Sequence, residues 1–151
     1  MTTGVLSGLL LSCSRENASP SSPSQTESIA GVDADANGVR DDVDRYIDTT
    51  YADQASVDLN KSVHQYAMAV QSSPVDADSQ SLSLTHATER FRALECLMAR
   101  RPREFHTIFV DLRAQLLNTP SRSDAYLKAD DQVKAASIPL LQADQWVTAC
   151  R

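Results

Sequence analysis

Along most of the chain, apolar residues recur three and four positions apart, the spacing of amphipathic helices packed on a common core. Val43, Tyr46, Ile47, Thr50 and Tyr51 mark a first helix that begins just after residue 40. A second is predicted from about Asp53 to Gln71, with Ala52, Leu59, Val63, Tyr66, Ala67 and Val70 on one face and Val57 and Met68 on another flank. Ser72-Ser73-Pro74 reads as its stop, and residues 72–79 as a polar loop. A third helix is predicted from about Ser81 to Arg100, with an apolar seam of Leu84, Ala87, Phe91, Leu94 and Met98 broadened by Leu97, and with Leu82, Ala93 and Cys96 towards its back. Pro102 stops it, because a proline disfavours α geometry in the residue before it.

The fourth helix, about Arg103 to Leu117, carries Phe105, Ile108, Phe109, Leu112 and Leu116 on its main face and is expected to be the most buried. A weakly apolar fifth, about Ser123 to Ala136, turns Tyr126, Ala129 and Val133 inward. In the tail, Ile138 to Arg151, a helical face would hold Ala143, Trp146, Val147 and Cys150, with Trp146 docking the segment. Aromatics are few, glycine is scarce, and alanine, leucine, glutamine and serine are plentiful, so the expected fold is all-α: a compact bundle of four to six helices, without internal repeat.

Composition adds an address. The chain has 151 residues, enough for one domain with a core, and a net charge of −6. That balance, with no basic patch interleaved with aromatics, excludes nucleic acid as the expected partner. Ser14 to Ser28 is rich in serine and proline and holds too little apolar surface to fold, so it reads as a disordered tether. Before it lies a short apolar run, Val5 to Cys13. Leu10-Leu11-Ser12-Cys13 resembles a bacterial lipobox, with leucine at −3, a small residue at −1 and the cysteine that is lipidated. The resemblance implies that residues 1–12 are a signal segment that is removed, that Cys13 becomes a lipidated N-terminus, and that residues 13–28 tether a domain of residues 29–151 to a membrane. Met1-Thr2-Thr3-Gly4 lacks Lys or Arg, a departure that a truncated signal segment would explain. Ser14 rather than aspartate after the cysteine implies, by the sorting pattern of Gram-negative lipoproteins, the outer membrane. No other stretch approaches the roughly 20 apolar residues of a membrane-spanning helix.

Between tether and first helix lies the stretch Asp33-Ala34-Asp35-Ala36-Asn37-Gly38-Val39-Arg40-Asp41-Asp42-Val43-Asp44. Calcium takes oxygen ligands from positions 1, 3, 5, 7, 9 and 12 of a twelve-residue loop, with glycine at position 6. Asp33, Asp35, Asn37, Val39 (through its carbonyl), Asp41 and Asp44 supply those positions, and Gly38, one of four glycines in the chain, is the sixth. The loop, residues 33–44, resembles those of the EF-hand superfamily and more closely those of dockerin modules, which also close with aspartate. The resemblance implies a bound Ca2+. Asp44 in place of glutamate removes one oxygen, Arg40 replaces the aliphatic residue that pairs two such loops, and Glu27 to Val32 is too short for an entering helix. A solitary loop-helix half-site follows, with an expected affinity on the order of 10⁻⁵ to 10⁻³ M.

Of three cysteines, lipidation of Cys13 leaves Cys96 and Cys150, expected to pair in an oxidising compartment. A bridge closing a loop of about fifty residues stabilises by on the order of 4 kcal/mol in the chain-entropy account. His64, His86 and His106 fall on three different helices without a metal-ligand spacing, and Asp130-Asp131 reads as a solvated face. Arg90, Arg92, Arg100, Arg101 and Arg103 crowd one helix end and are expected to pair with neighbouring acids. The chain lacks a nucleophile elbow, a phosphate-binding glycine loop and a Cys-x-x-Cys pair. The expectation is therefore a non-enzymatic, calcium-binding envelope lipoprotein, held to the membrane through Cys13, with a structural metal and a binding or envelope-structural role. Its alternatives are a calcium-dependent docking module for an envelope protein partner and an enzyme with a site among the helices.

Overall fold

The computed structural model of the chain describes residue 1, residues 28–51 and residues 57–151, with the backbone alone over 57–59. The lipobox with Cys13 and the serine- and proline-rich stretch up to residue 27 lie outside the described residues, as do Ala52, Asp53 and the side chains of Val57 and Leu59. The described residues are all-α: α1 (Asp41–Tyr51), α2 (Val57–Val75), α3 (Gln80–Arg100), α4 (Phe105–Leu116), α5 (Pro120–Val133) and a 3-10 helix (Ala143–Ala149). None of these helices is long and apolar enough to cross a membrane.

Local chemistry fixes the helix ends. The Arg40 carbonyl accepts from the backbone N–H of Val43 and Asp44, both at 2.9 Å, and Asp41, Asp42 and Asp44 occupy the first turn of α1, the positive end of its dipole. Helix α2 does not stop at Ser72-Ser73-Pro74 but runs on to Val75. Both serine hydroxyls turn back onto their own helix, Ser72 Oγ to the Met68 carbonyl (2.9 Å) and Ser73 Oγ to that of Ala69 (3.2 Å). In this geometry they do not compete with the helix, and Pro74 falls in the last turn. The predicted polar loop is thus only a short turn, capped by Ser79, whose hydroxyl accepts from the Leu82 N–H that opens α3. Helix α5 starts earlier than Ser123: Thr119 is its N-cap, accepting from Arg122 N, and Pro120 takes the first turn, where its missing N–H costs nothing.

The core gathers Val39, Val43, Ile47 and Tyr51 from loop and α1, Val63, Tyr66, Ala67 and Val70 from α2, Ala93 and Leu97 from α3, Ile108, Leu112 and Leu116 from α4, and Tyr126 from α5. Helix α2, not α4, is the most buried helix: it packs against α1, α3, α4 and α5 and buries Ser62, Val63, Tyr66, Ala67, Ala69, Val70, Gln71 and Ser73. The predicted seam of α3 holds at Ala87 and Leu97, which are buried, and fails at Leu84 and Phe91. Ser83, Ala87, Ala93, Glu95, Cys96 and Leu97 are buried, whereas Leu84 and Phe91 each keep 39% of their surface exposed. Small side chains let neighbouring helices approach closely, and the large ones are left at the margins.

The tail forms a 3-10 helix rather than an α-helix. A repeat of three residues per turn puts Ala149, not Val147, in line with Trp146. Ala149 is buried, Trp146 is half-buried with its Nε1 donating to the Leu141 carbonyl (3.2 Å), and Ala143 and Val147 are exposed. Covalent and polar links hold the tail. Cys96 and Cys150 are joined (S–S 2.11 Å). Buried Glu95 accepts from Leu141 N (2.6 Å) and from Arg92 Nη1 (2.6 Å), and Arg92 Nη2 donates to the Pro139 carbonyl (2.9 Å). Gln65 receives Arg151 N (3.0 Å) and donates to the Ala149 carbonyl (2.8 Å).

Candidate metal centre

The loop ahead of α1 draws its acidic oxygens together. One carboxylate oxygen from each of Asp33, Asp35 and Asp41 lies within 4.8 Å of the other two. Ligands on opposite sides of a calcium ion stand up to about 5 Å apart at ordinary Ca–O distances, so one ion would reach all three. Backbone geometry produces the arrangement. Ala36 (φ 57°) and Gly38 (φ 89°) both take the left-handed conformation and coil the chain around the first aspartate. Asp33 accepts from the N–H of Asn37 (3.1 Å) and Gly38 (2.9 Å), and Asp41 accepts from Ala34 N (2.8 Å). Asp41 N donates in turn to the Val32 carbonyl (2.9 Å), which closes the base of the loop.

Asn37 sits among the acids as their donor. Its Nδ2 reaches Asp35 Oδ2 (3.1 Å) and Asp44 Oδ2 (2.7 Å), while its Oδ1 accepts from Val39 N (2.8 Å). The partial positive charge of the amide thus lies between two carboxylates, where a cation would do the same work more strongly. Asp44 joins the group through Asn37 rather than directly. Its other oxygen, Oδ1, is buried, lies 3.2 Å from His64 Nδ1 on α2, and lacks a well-directed hydrogen bond. Burial pushes the Asp44 carboxyl above its ordinary value, against the pull of Asn37 and His64. For Asn37 to serve as a ligand its amide would turn its oxygen inward. Val39 contributes a buried side chain to the core.

Arg40, the eighth loop residue, points away from the acids into the protein and is 1% exposed. Its Nε and Nη2 hold both oxygens of Asp42 (2.8 and 3.1 Å), and its Nη1 and Nη2 donate to the carbonyls of Leu116 and Gln115 (both 3.0 Å). The guanidinium thereby closes the C-terminal end of α4, where carbonyls lack helical partners. It holds the Asp42 carboxyl below its ordinary range. The Arg40 backbone N–H donates to buried Gln71 Oε1 on α2 (3.0 Å). Arg122, also buried, completes the clasp: it donates to the carbonyls of Ser28 (2.8 Å) and Ile29 (3.3 Å) and to Asn118 Oδ1 (2.6 Å). Sequence reasoning took Arg40 only as a sign of a solitary loop, and missed its grip on α4, the role of Arg122 and the approach of His64 to Asp44. Asp42 and Asn118 are near in sequence, but the carbonyl partners of the two arginines lie 75 to 94 residues away, beyond any local pattern.

The other candidates do not converge among the described residues. His86 bridges Asp76 (2.8 Å) and Glu89 (3.3 Å), and His106 is exposed, its ring edge-on to Phe105. Arg90 binds Asp130 and Ser73, Arg92 binds Glu95, and Asp131 faces Lys134 at 3.5 Å. No protein-family model matches the chain, and no curated protein or solved structure compared with it matches either.

Proposed function

We propose that the protein is a calcium-binding domain of the bacterial envelope, lipid-anchored at Cys13, in which the ion is structural. The observation that carries the metal is the closed set of acidic oxygens at Asp33, Asp35 and Asp41, with Asn37 and Asp44 beside them, seated on a loop whose other side is anchored in the core by Val39 and Arg40. A cation there would relieve the repulsion among four carboxylates and fix the start of α1. The oxidising address is supported by the Cys96–Cys150 bridge.

Melting with and without chelator tests the metal. For a dissociation constant of about 10⁻⁴ M, calcium at about 1 mM stabilises by about 1.4 kcal/mol, a shift of roughly 5 °C in midpoint. Asp33→Ala should abolish the shift, and an unchanged midpoint in the wild type would sink the reading. Intact-mass measurement of protein extracted from membranes tests the anchor: acyl mass on Cys13 and loss of residues 1–12 are expected.

A second reading, a calcium-dependent docking module, is favoured by a groove of about 770 Å³ beside the loop, lined by Asn37, Val39, His64 and Met68 among others. Equal capture of an envelope protein by wild type and by Asp33→Ala and Asp44→Ala variants would exclude it.

A further inference from the structure

Helices α2, α3, α4 and α5 and the connection into the tail line a second cleft of about 550 Å³, a volume typical of small-ligand sites. Its walls are apolar: Phe91 and Leu94 on one side, Phe109, Ile138 and Leu140 on others. Tyr66, 2% exposed, lines it, and its hydroxyl has no hydrogen-bond partner among the described residues. Two arginines flank the Tyr126 ring in the cleft, Arg90 at 4.6 Å and Arg113 at 4.7 Å from its centroid. They differ in state. Arg90 is neutralised by Asp130 and also donates to Ser73. Arg113 is held by ring faces alone, Tyr126 and Phe109 (6.0 Å), and its N–H groups have no acceptor among the described residues.

A guanidinium with open donors against apolar walls is complementary to one kind of molecule: a single anionic head on a hydrocarbon body. The geometry points to a binding site for a monoanionic carboxylate amphiphile, its head on Arg113 and its chain along Phe91 and Leu94. Tyr66 adds a neutral donor, since burial keeps its hydroxyl protonated. One positive charge without a counter-charge sets the ligand's charge at minus one, and the apolar walls set its preference for a chain over a compact anion. Arg113 also borders a shallower depression of about 350 Å³ beside Leu127, but Tyr66 belongs to the larger cleft alone.

The test is calorimetric titration of the full chain with decanoate, decanol, decyltrimethylammonium and propionate. Decanoate should bind saturably, and decanol and propionate each about tenfold or more weakly, the worth of a charge-assisted hydrogen bond or of a buried chain. Arg113→Gln should bring decanoate to the affinity of decanol while leaving decanol unchanged, and Tyr66→Phe should weaken decanoate about threefold. The proposal is overturned if decanoate does not saturate, or if decanol or decyltrimethylammonium binds as tightly in the wild type, a comparison that needs no variant to fold. It is overturned equally if Arg113→Gln binds decanoate unchanged, or if Tyr66→Phe does so, which would put the chain beside Leu127.

Discussion

Arg40 and Gly31 form a pair whose chemistry neither residue shows alone. Gly31 has a φ of +73°, and a Cβ built on it would lie 2.0 Å from Arg40 Cδ, so the aliphatic stem of the arginine runs through the space that the missing side chain leaves. Gly31→Ala should therefore destabilise by on the order of 2 kcal/mol, part from the left-handed backbone and part from displacing a buried arginine. Arg40→Met should cost about 3 kcal/mol, because Gln115 and Leu116 lose their donors and the Asp42 pair is broken. Arg40→Lys should recover only part, since an ammonium cannot fork between a carboxylate and two carbonyls. Urea denaturation reads all three; an Arg40→Met variant as stable as wild type would remove the clasp. From the sequence, Arg40 argued for a solitary loop and nothing more. Its carbonyl partners are 75 and 76 residues away, beyond any local pattern.

The helices were legible where one face is buried and the other wet. Helix α1 begins at Asp41 as its acids and the loop before it require, and α4 turns Ile108, Leu112 and Leu116 inward as their spacing implies. Helix α3 defeats the same reasoning in part because Ala93, Glu95, Cys96 and Leu97, on several sides of its C-terminal half, are all buried, so closeness of approach decides there which residues are buried. The tail is too short for a helical period to register, and covalent and polar links position it. Replacing both Cys96 and Cys150 by serine should destabilise by on the order of 4 kcal/mol and speed amide exchange across the 3-10 helix before the rest of the domain. Glu95→Gln should loosen the segment around Leu141 more mildly, keeping one acceptor for that N–H; exchange rates there equal to wild type would show that the Glu95 charge does not hold the segment.

For the molecule as a unit, the all-α class followed from periodicity, whereas the two clefts did not, since each is assembled from helices distant in sequence. Core tyrosines give the molecule a signature at high pH. Burial raises the hydroxyls of Tyr51 and Tyr66 well above their ordinary value of 10.0. Below that value both are neutral whether the chain is folded or not. Above it the unfolded chain loses protons that the folded one retains, so stability falls as pH rises. Phenolate absorbance from Tyr51, Tyr66 and Tyr126, whose hydroxyl burial also raises, should therefore appear together with cooperative unfolding. Tyr51→Phe, which removes a buried hydroxyl without a partner among the described residues, should move alkaline unfolding to higher pH with little loss of stability at neutral pH. A single smooth titration of all tyrosines would contradict this.

The hold of Arg122 on the carbonyls of Ser28 and Ile29 has a mechanical meaning. Load pulling on the chain from its N-terminal side enters the domain at residue 28. It meets a guanidinium rooted in α5 before it reaches α1, and then the grip of Arg40 on the end of α4. Force is thus shared at the outset between the corner of α4 and α5 and the loop, instead of peeling α1 from the bundle turn by turn. Arg122→Ala should lower the force at which a tethered domain yields under N-terminal pulling, and change it less when the same domain is pulled from a residue beyond the clasp.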